Sequence, residues 1–287
     1  MKISVSSYSF RSAIASGKLT QFDTVAAARG MGFSAIEFIE LSPEYGKKPT
    51  YEEQVEAAKL IREEAERFGM EINAYTIGAN LYRTGDDAEM EIERLCRQLD
   101  IAKILGAPVM RHDVCYSLEK GRSFYLMLPT IAENIRRVSD YAQELGIKTC
   151  SENHGFIAQD STRIEDLFCA VNHENYGILV DIGNFACVDE DPVIAVSRVA
   201  PYAFHVHAKD FKIYPFGKRN EGLETRACNH LEGCAIGEGD IPVEQCLAIL
   251  AKARYDGYVS IEYEGSKDPF DGIKIGMKAL QKYGIEL

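Results

Sequence analysis

Four residues of this chain, Glu152, Asp181, His207 and Glu262, each close a short apolar or β-branched stretch: KTCSE, YGILVD, AFHVH and YVSIE. A lone carboxylate in such a place is ordinarily hydrogen-bonded to a neighbouring loop, but four donors in succession ask for another account. Two Glu, one Asp and one His offer hard oxygens and an imidazole, a set suited to a divalent ion such as Mn²⁺, Mg²⁺, Co²⁺ or Zn²⁺. Without a cation, three clustered carboxylates would repel and raise one another's pKa values. The alternative is a structural cluster of satisfied polar groups.

These residues can meet only if their stretches lie side by side. Short apolar stretches alternate with amphipathic stretches of helical length, the pattern of parallel strands crossed over by helices. Strands are expected at 3–8, 35–39, 71–76, 108–111, 148–152, 176–181, 203–208 and 258–262, and helices at 22–31, 51–68, 87–105, 125–145, 164–172, 192–200, 243–254 and 271–282. Gly32, Gly69, Gly106, Gly146 and Gly257 recur just before strands, where a glycine ends a helix by taking the left-handed conformation. The expected fold is α/β, a (β/α)8 TIM barrel in which residues 1–287 form one domain. An open doubly wound sheet is the alternative, but no glycine-rich nucleotide loop follows the first strand. In a barrel the four residues stand at the C-terminal mouth, where active sites are built. One long connection, 209–239, leaves strand seven at that mouth carrying Lys209, Asp210, Lys212, Arg219, Arg226 and His230. It is a candidate substrate lid or else a solvated insertion.

Composition narrows the functional classes. Hydrophobic residues at 46% and charged residues at 26% belong to a globular protein with a sizeable core. A net charge of −12 repels a phosphate backbone, so nucleic acid is not expected as a partner. No apolar run approaches the ~20 residues that span a bilayer, so no membrane is expected. The start of the chain runs straight into strand-like residues without an apolar leader. The eight cysteines include no C-x-x-C pair and read as packed thiols. A cytoplasmic location is expected, and a homo-oligomer is compatible with all of this.

The blocks SENHG, VDIGN, HVHAKD, GEGDI and SIEYEG, with SSYSF in the first strand, resemble the sugar phosphate isomerase/epimerase family. These are the xylose isomerase-like barrels, which include the ketose 3-epimerases and, more distantly, abasic-site endonucleases. The resemblance implies that Glu152, Asp181, His207 and Glu262 hold one divalent metal, with Mn²⁺ foremost and Mg²⁺, Co²⁺ or Zn²⁺ as alternatives. It also implies a small sugar or sugar derivative as substrate and Glu152 and Glu262 as the carboxylates that move protons. The activity implied is that of a sugar isomerase or epimerase abstracting an α-proton through a metal-stabilised enediolate.

The departures from the family matter as well. Asn184 stands where the ketose 3-epimerases carry His, and Ile213 where they carry Arg, so their substrate contacts do not transfer. Candidate substrate contacts here are Lys209 and Lys212 after strand seven, His154 on the same side as Glu152, His112 and Glu40 at strand ends, and Asn184. Each has the alternative of a packed or solvated side chain with no role. The endonuclease branch needs many more histidines than the six present. A lyase or dehydratase on a keto-sugar, 3-keto-glycoside or inosose is a strong rival, because it begins with the same proton abstraction. A non-catalytic sugar-binding barrel is the rival from another class.

Overall fold

The computed structural model describes residues 1–117, 120–218 and 221–287. Eight parallel strands close on themselves: β1 (Lys2–Ser6), β2 (Ala35–Ile39), β3 (Glu71–Ile77), β4 (Val109–His112), β5 (Lys148–Glu152), β6 (Tyr176–Asp181), β7 (Ala203–Ala208) and β11 (Tyr258–Ile261). β1 pairs with both β2 and β11, which seals the barrel. The helices that return the chain are α2 (Thr24–Met31), α3 (Tyr51–Phe68), α4 (Asp86–Leu105), α5 (Phe124–Leu145), α6 (Ser161–Val171), α7 (Pro192–Val199), α8 (Val243–Lys252) and α9 (Pro269–Lys282). The fold is the expected single-domain (β/α)8 barrel, with each element within a few residues of its expected place.

Three local features differ from expectation. The first strand stops at Ser6, and a short 3₁₀ turn at Ser7–Phe10 leads into α1 (Arg11–Ala15). Gly32, Gly69, Gly106 and Gly146 do end helices with φ between 62° and 103°. After α8, however, the left-handed residue is Arg254 at φ 65°, and Gly257 instead makes room for the Tyr255 hydroxyl. The connection 209–239 is itself structured. β8 (Asp210–Tyr214), β9 (Leu223–Glu224) and β10 (His230–Cys234) form an antiparallel sheet in the order β8-β10-β9.

Most of the core lies between strands and helices, where Ile36, Phe38, Tyr75, Ile178 and Val180 are fully buried. The barrel interior is more polar than usual. Ser4, Glu37, Asn73, His205, His207 and Ser260 are buried inside it, where branched apolar side chains would ordinarily be layered. Gly177 on β6 lets the Phe204 ring sit directly against its backbone, since a Cβ there would come within 2.4 Å of the ring.

Candidate metal centre

Glu152 is the last residue of β5 and Asp181 the last of β6, and the loops beyond both are fixed by local hydrogen bonds. The Asn153 side chain donates to the Asp181 carbonyl at 2.9 Å and accepts from its N–H at 2.8 Å, prolonging the β5–β6 ladder. Asp181 Oδ1 then accepts from the N–H groups of Gly183 and Asn184, at 2.8 and 3.0 Å, which turns Oδ2 toward the barrel axis. Gly183 is required here, because a Cβ would lie 2.9 Å from the Lys209 carbonyl. His207 sits beside Asp181 in the ladder register, and Glu262 follows β11 with its N–H on the Ala208 carbonyl at 3.0 Å.

The four expected ligands converge. Each offers one ligand atom to a cluster whose members lie within 4.8 Å of one another. His207 Nδ1 is 3.9 Å from Glu152, 3.9 Å from Asp181 and 3.7 Å from Glu262. Both His207 Nδ1 and Asp181 Oδ2 are buried without a hydrogen-bond partner. Asp181 Oδ2 still has the Lys209 ammonium at 3.2 Å, whereas among the described residues His207 Nδ1 has no partner nearer than carboxylates at 3.7 Å and beyond. Buried polar atoms are nearly always satisfied, so this imidazole nitrogen facing a carboxylate cluster is what a cation would complete. The donor set of three carboxylates and one imidazole fits a divalent ion.

Lys209 supplies the compensating charge within the protein. Its ammonium lies 2.5 Å from Glu262, 3.2 Å from Asp181 and 3.7 Å from Glu264. Although burial disfavours its charge, these carboxylates hold its pKa well above that of an ordinary lysine. Burial works against the charge of Glu262 too, but Lys209 and His207 bring its pKa down to about 2. Asp181 is pushed up to about 7 by burial, with Lys209 opposing and Glu152 and Glu262 reinforcing the rise. Burial opposes the imidazolium of His207, yet Glu37 and Glu262 raise it to about 10. A cation would have to displace that proton, so metal uptake should release protons and weaken as pH falls.

Above the cluster opens a cavity of about 280 Å³ lined by Tyr8, Glu40, Arg111, His154, Lys209 and Glu264 together with Glu152, His207 and Glu262. Arg111 reaches Glu152 at 2.6 Å and Asp113 at 2.7 Å. Asp113 in turn holds His154 Nδ1 at 2.9 Å. Burial opposes protonation of His154, but Asp113 and Glu152 raise its pKa.

Of the expected substrate contacts, the structure brings Glu40, His154 and Lys209 to the cavity. Asn184 lies behind it, donating to Glu152 at 2.8 Å. His112 is fully buried, with Nδ1 on the Asp113 carbonyl at 2.9 Å and burial lowering its pKa to about 4, and it does not line the cavity. Lys212 points away on β8 and is exposed, beside Glu232 and Lys267. In the lid region Asp210 has a structural part, accepting from the N–H groups of Gly237, Gly239 and Ile241, which ties HVHAKD to GEGDI. Arg226 pins the sheet to Asp160 and the Phe156 carbonyl, and His230 opens β10. Arg219 lies outside the described residues.

Sequence reading passed over Glu37, Arg111, Asp113 and Tyr8. Glu37 had a visible signal, a carboxylate in the middle of the apolar strand AIEFI, but Glu40 at the strand end drew attention instead.

The description Xylose isomerase-like TIM barrel covers the family model that matches residues 25–283. The chain belongs to this family. Among curated members, the inosose dehydratase of Clostridium perfringens is 26% identical over 161 residues, 54% of this chain and 52% of that protein. The chain thus spans about half the length of the curated relatives it matches. Among solved structures, the probable 3-DHS dehydratase AsbF of Bacillus anthracis superposes with a TM-score of 0.77 at 20% identity, over 98% of this chain and 99% of that one. The IOLI protein with a binding zinc atom gives 0.73 at 14% identity, over 99% and 98%. At these identities the two structures show the shared xylose isomerase-like fold. Among the described residues, no helix is long and apolar enough to cross a membrane.

Proposed function

We propose that this chain is a divalent-metal-dependent lyase that dehydrates a small, uncharged polyhydroxy ketone, with Mn²⁺ as its cation. The observation that carries the reading is the convergence of Glu152, Asp181, His207 and Glu262 around the unpartnered Nδ1 of His207 at the floor of a cavity. The curated relative named above is a dehydratase, which favours the lyase over the isomerase or epimerase first expected from the motifs. When bound, the cation would supply Lewis-acid polarisation of a substrate carbonyl.

The protein's own groups provide the acid and the base. Glu152 and Glu262 are the candidate bases for the α-proton, lying at the cluster and open to the cavity. His154, held by Asp113, is the candidate acid: it donates a proton to the departing hydroxyl, which leaves as water while the carbon–carbon double bond forms. Lys209 stays charged and orients oxygens of the substrate. Outside the four clustered residues, the cations among the described lining residues are Arg111, Lys209 and the protonated His154, each engaged with a carboxylate, while Glu40 and Glu264 add negative charge. That balance favours an uncharged ligand over a phosphate or an acid.

The test is a panel of inosose, free ketoses and their phosphorylated or carboxylated counterparts, incubated with Mn²⁺ in deuterated water. Loss of water from an uncharged ketone, read as enone absorbance, supports the proposal. Deuterium uptake with no loss of water would restore the epimerase or isomerase reading. Binding with neither would identify a sugar-binding barrel, and turnover confined to anionic substrates would overturn the substrate class.

A further inference from the structure

Glu37 is fully buried in the barrel interior on β2, which has no ladder contact with β7, yet both of its oxygens are taken by β7. His205 Nε2 lies 2.5 Å from Oε2, and His207 Nε2 lies 2.9 Å from both Oε1 and Oε2. A buried, unpaired carboxylate is costly, and a three-residue ionisable cluster in place of an apolar layer demands a reason. The cluster is closed at hydrogen-bonding distances and none of its facing atoms is orphaned, so it is a brace and not a second cation site.

A carboxylate only accepts, so each ring nitrogen facing Glu37 must carry hydrogen. For His207 this fixes Nε2 as the protonated atom. The lone pair available to a cation is then on Nδ1, the atom without a partner that faces Glu152, Asp181 and Glu262. His205 braces Glu37 from the other side and is itself 3.2 Å from Ser260 Oγ on β11, which meets Ser4 Oγ at 2.7 Å. Asn73 donates to Ser4 at 3.0 Å, so the brace runs across β3, β1, β11 and β7.

We infer that Glu37 is a positioning residue for the metal centre: with His205 as its counter-brace, it selects the tautomer and ring orientation in which His207 ligates through Nδ1. This rests on the four-residue centre proposed above. A carboxylate behind a liganding imidazole orients it and raises its basicity, and removing such a partner costs about 10–100-fold in metal affinity. Gln at position 37 keeps the shape but turns an N–H toward a ring N–H.

Co²⁺ titration of the purified chain tests this, followed by proton NMR of the Co²⁺-loaded protein labelled with ¹⁵N-histidine. Wild type should show one strongly shifted, slowly exchanging ring N–H, assigned to Nε2 of an imidazole ligated through Nδ1. Glu37→Gln should bind Co²⁺ about 10–100-fold more weakly and lose the slow exchange, with an unchanged helical circular-dichroism signal. Affinity within twofold of wild type in a folded Glu37→Gln overturns the inference while leaving the metal centre standing. If that variant does not fold, the wild-type spectrum decides alone, since ligation through Nε2 also overturns it. A wild-type chain that takes up no divalent cation removes the centre itself, and this role with it.

Discussion

Replacing Glu262 by Gln should strip the centre of its cation, whereas Glu264→Gln should leave the cation in place. The two carboxylates lie two residues apart just beyond β11, but Glu262 belongs to the four-residue cluster, while Glu264 lies 3.7 Å from Lys209 and outside that cluster. A cation at a hundredfold excess over its Kd stabilises the folded state by about 2.7 kcal/mol. With an unfolding entropy of roughly 2.1 cal/mol/K per residue, a chain of 287 residues should melt about 4–5 °C higher with metal than without. Loss of an anionic ligand should cost at least about 100-fold in affinity, the upper end of what outer partners contribute. At the same metal concentration Glu262→Gln then sits near its own Kd and gains only about 0.4 kcal/mol, a rise under about 1 °C. The metal-free baseline should fall too, because Lys209 loses its nearest carboxylate. It keeps Asp181 at 3.2 Å, so the loss should be at or below the about 3 kcal/mol that marks the low end for broken buried pairs. The assay is therefore the shift in melting temperature on adding Mn²⁺, not the melting temperature itself. A shift kept by Glu262→Gln and lost by Glu264→Gln would place the ligand two residues further along and refute the reasoning.

Three further outcomes are expected. His112 is neutral in the folded barrel because burial lowers its pKa from 6.5 to about 4; the unfolded chain binds the extra proton first, so its contribution, complete above pH 6.5, should be lost by about pH 4 at a cost of about 3 kcal/mol. Urea midpoints across that range should fall less in His112→Asn than in wild type. Gly177→Ala drives a Cβ into the Phe204 ring and should destabilise by about 1–3 kcal/mol in urea, and a Phe204→Ala background should relieve part of that loss. Asp189 accepts from Thr225, Ala227 and Asn229, so Asp189→Ala should free the turn that ends the β9 segment. Faster proteolytic cleavage within 209–239 would show it, and unchanged cleavage would mean that Arg226 and Asp210 hold the segment without Asp189.

The barrel was legible because its signals are periodic and local: strand-length apolar runs, helix-length amphipathic runs, and a glycine at four helix ends. The four clustered residues were legible for the same reason, since each closes a run. Glu37 was harder, because the feature that makes it matter is its approach to His205 and His207, which only closure of the barrel creates. Arg111 likewise reads as the end of a strand until Glu152 and Asp113 are found on either side of its guanidinium. The 209–239 connection looked like loop because its strands are short and rich in charge, and what orders it is Asp210 gripping three distant N–H groups. Lys212 follows strand seven and His112 ends strand four, places that suggest the mouth, but Lys212 is exposed on β8 and His112 is fully buried, so neither lines the cavity.

The Glu37 brace spans 168 positions of sequence to His205, and Ser260 and Glu262 come later still. A ribosome releases these residues in order, and domains without long-range partners cannot settle early. While only the first half of the chain exists, neither His205 nor His207 is there for Glu37 to accept from, and burying it alone would be unfavourable. The first strands therefore have reason to stay loosely packed until β7 has been made, and the cluster is incomplete until Glu262 has followed β11. A cation arriving during synthesis would meet only part of the proposed ligand set, so the proposed metal uptake would follow the closure of the barrel.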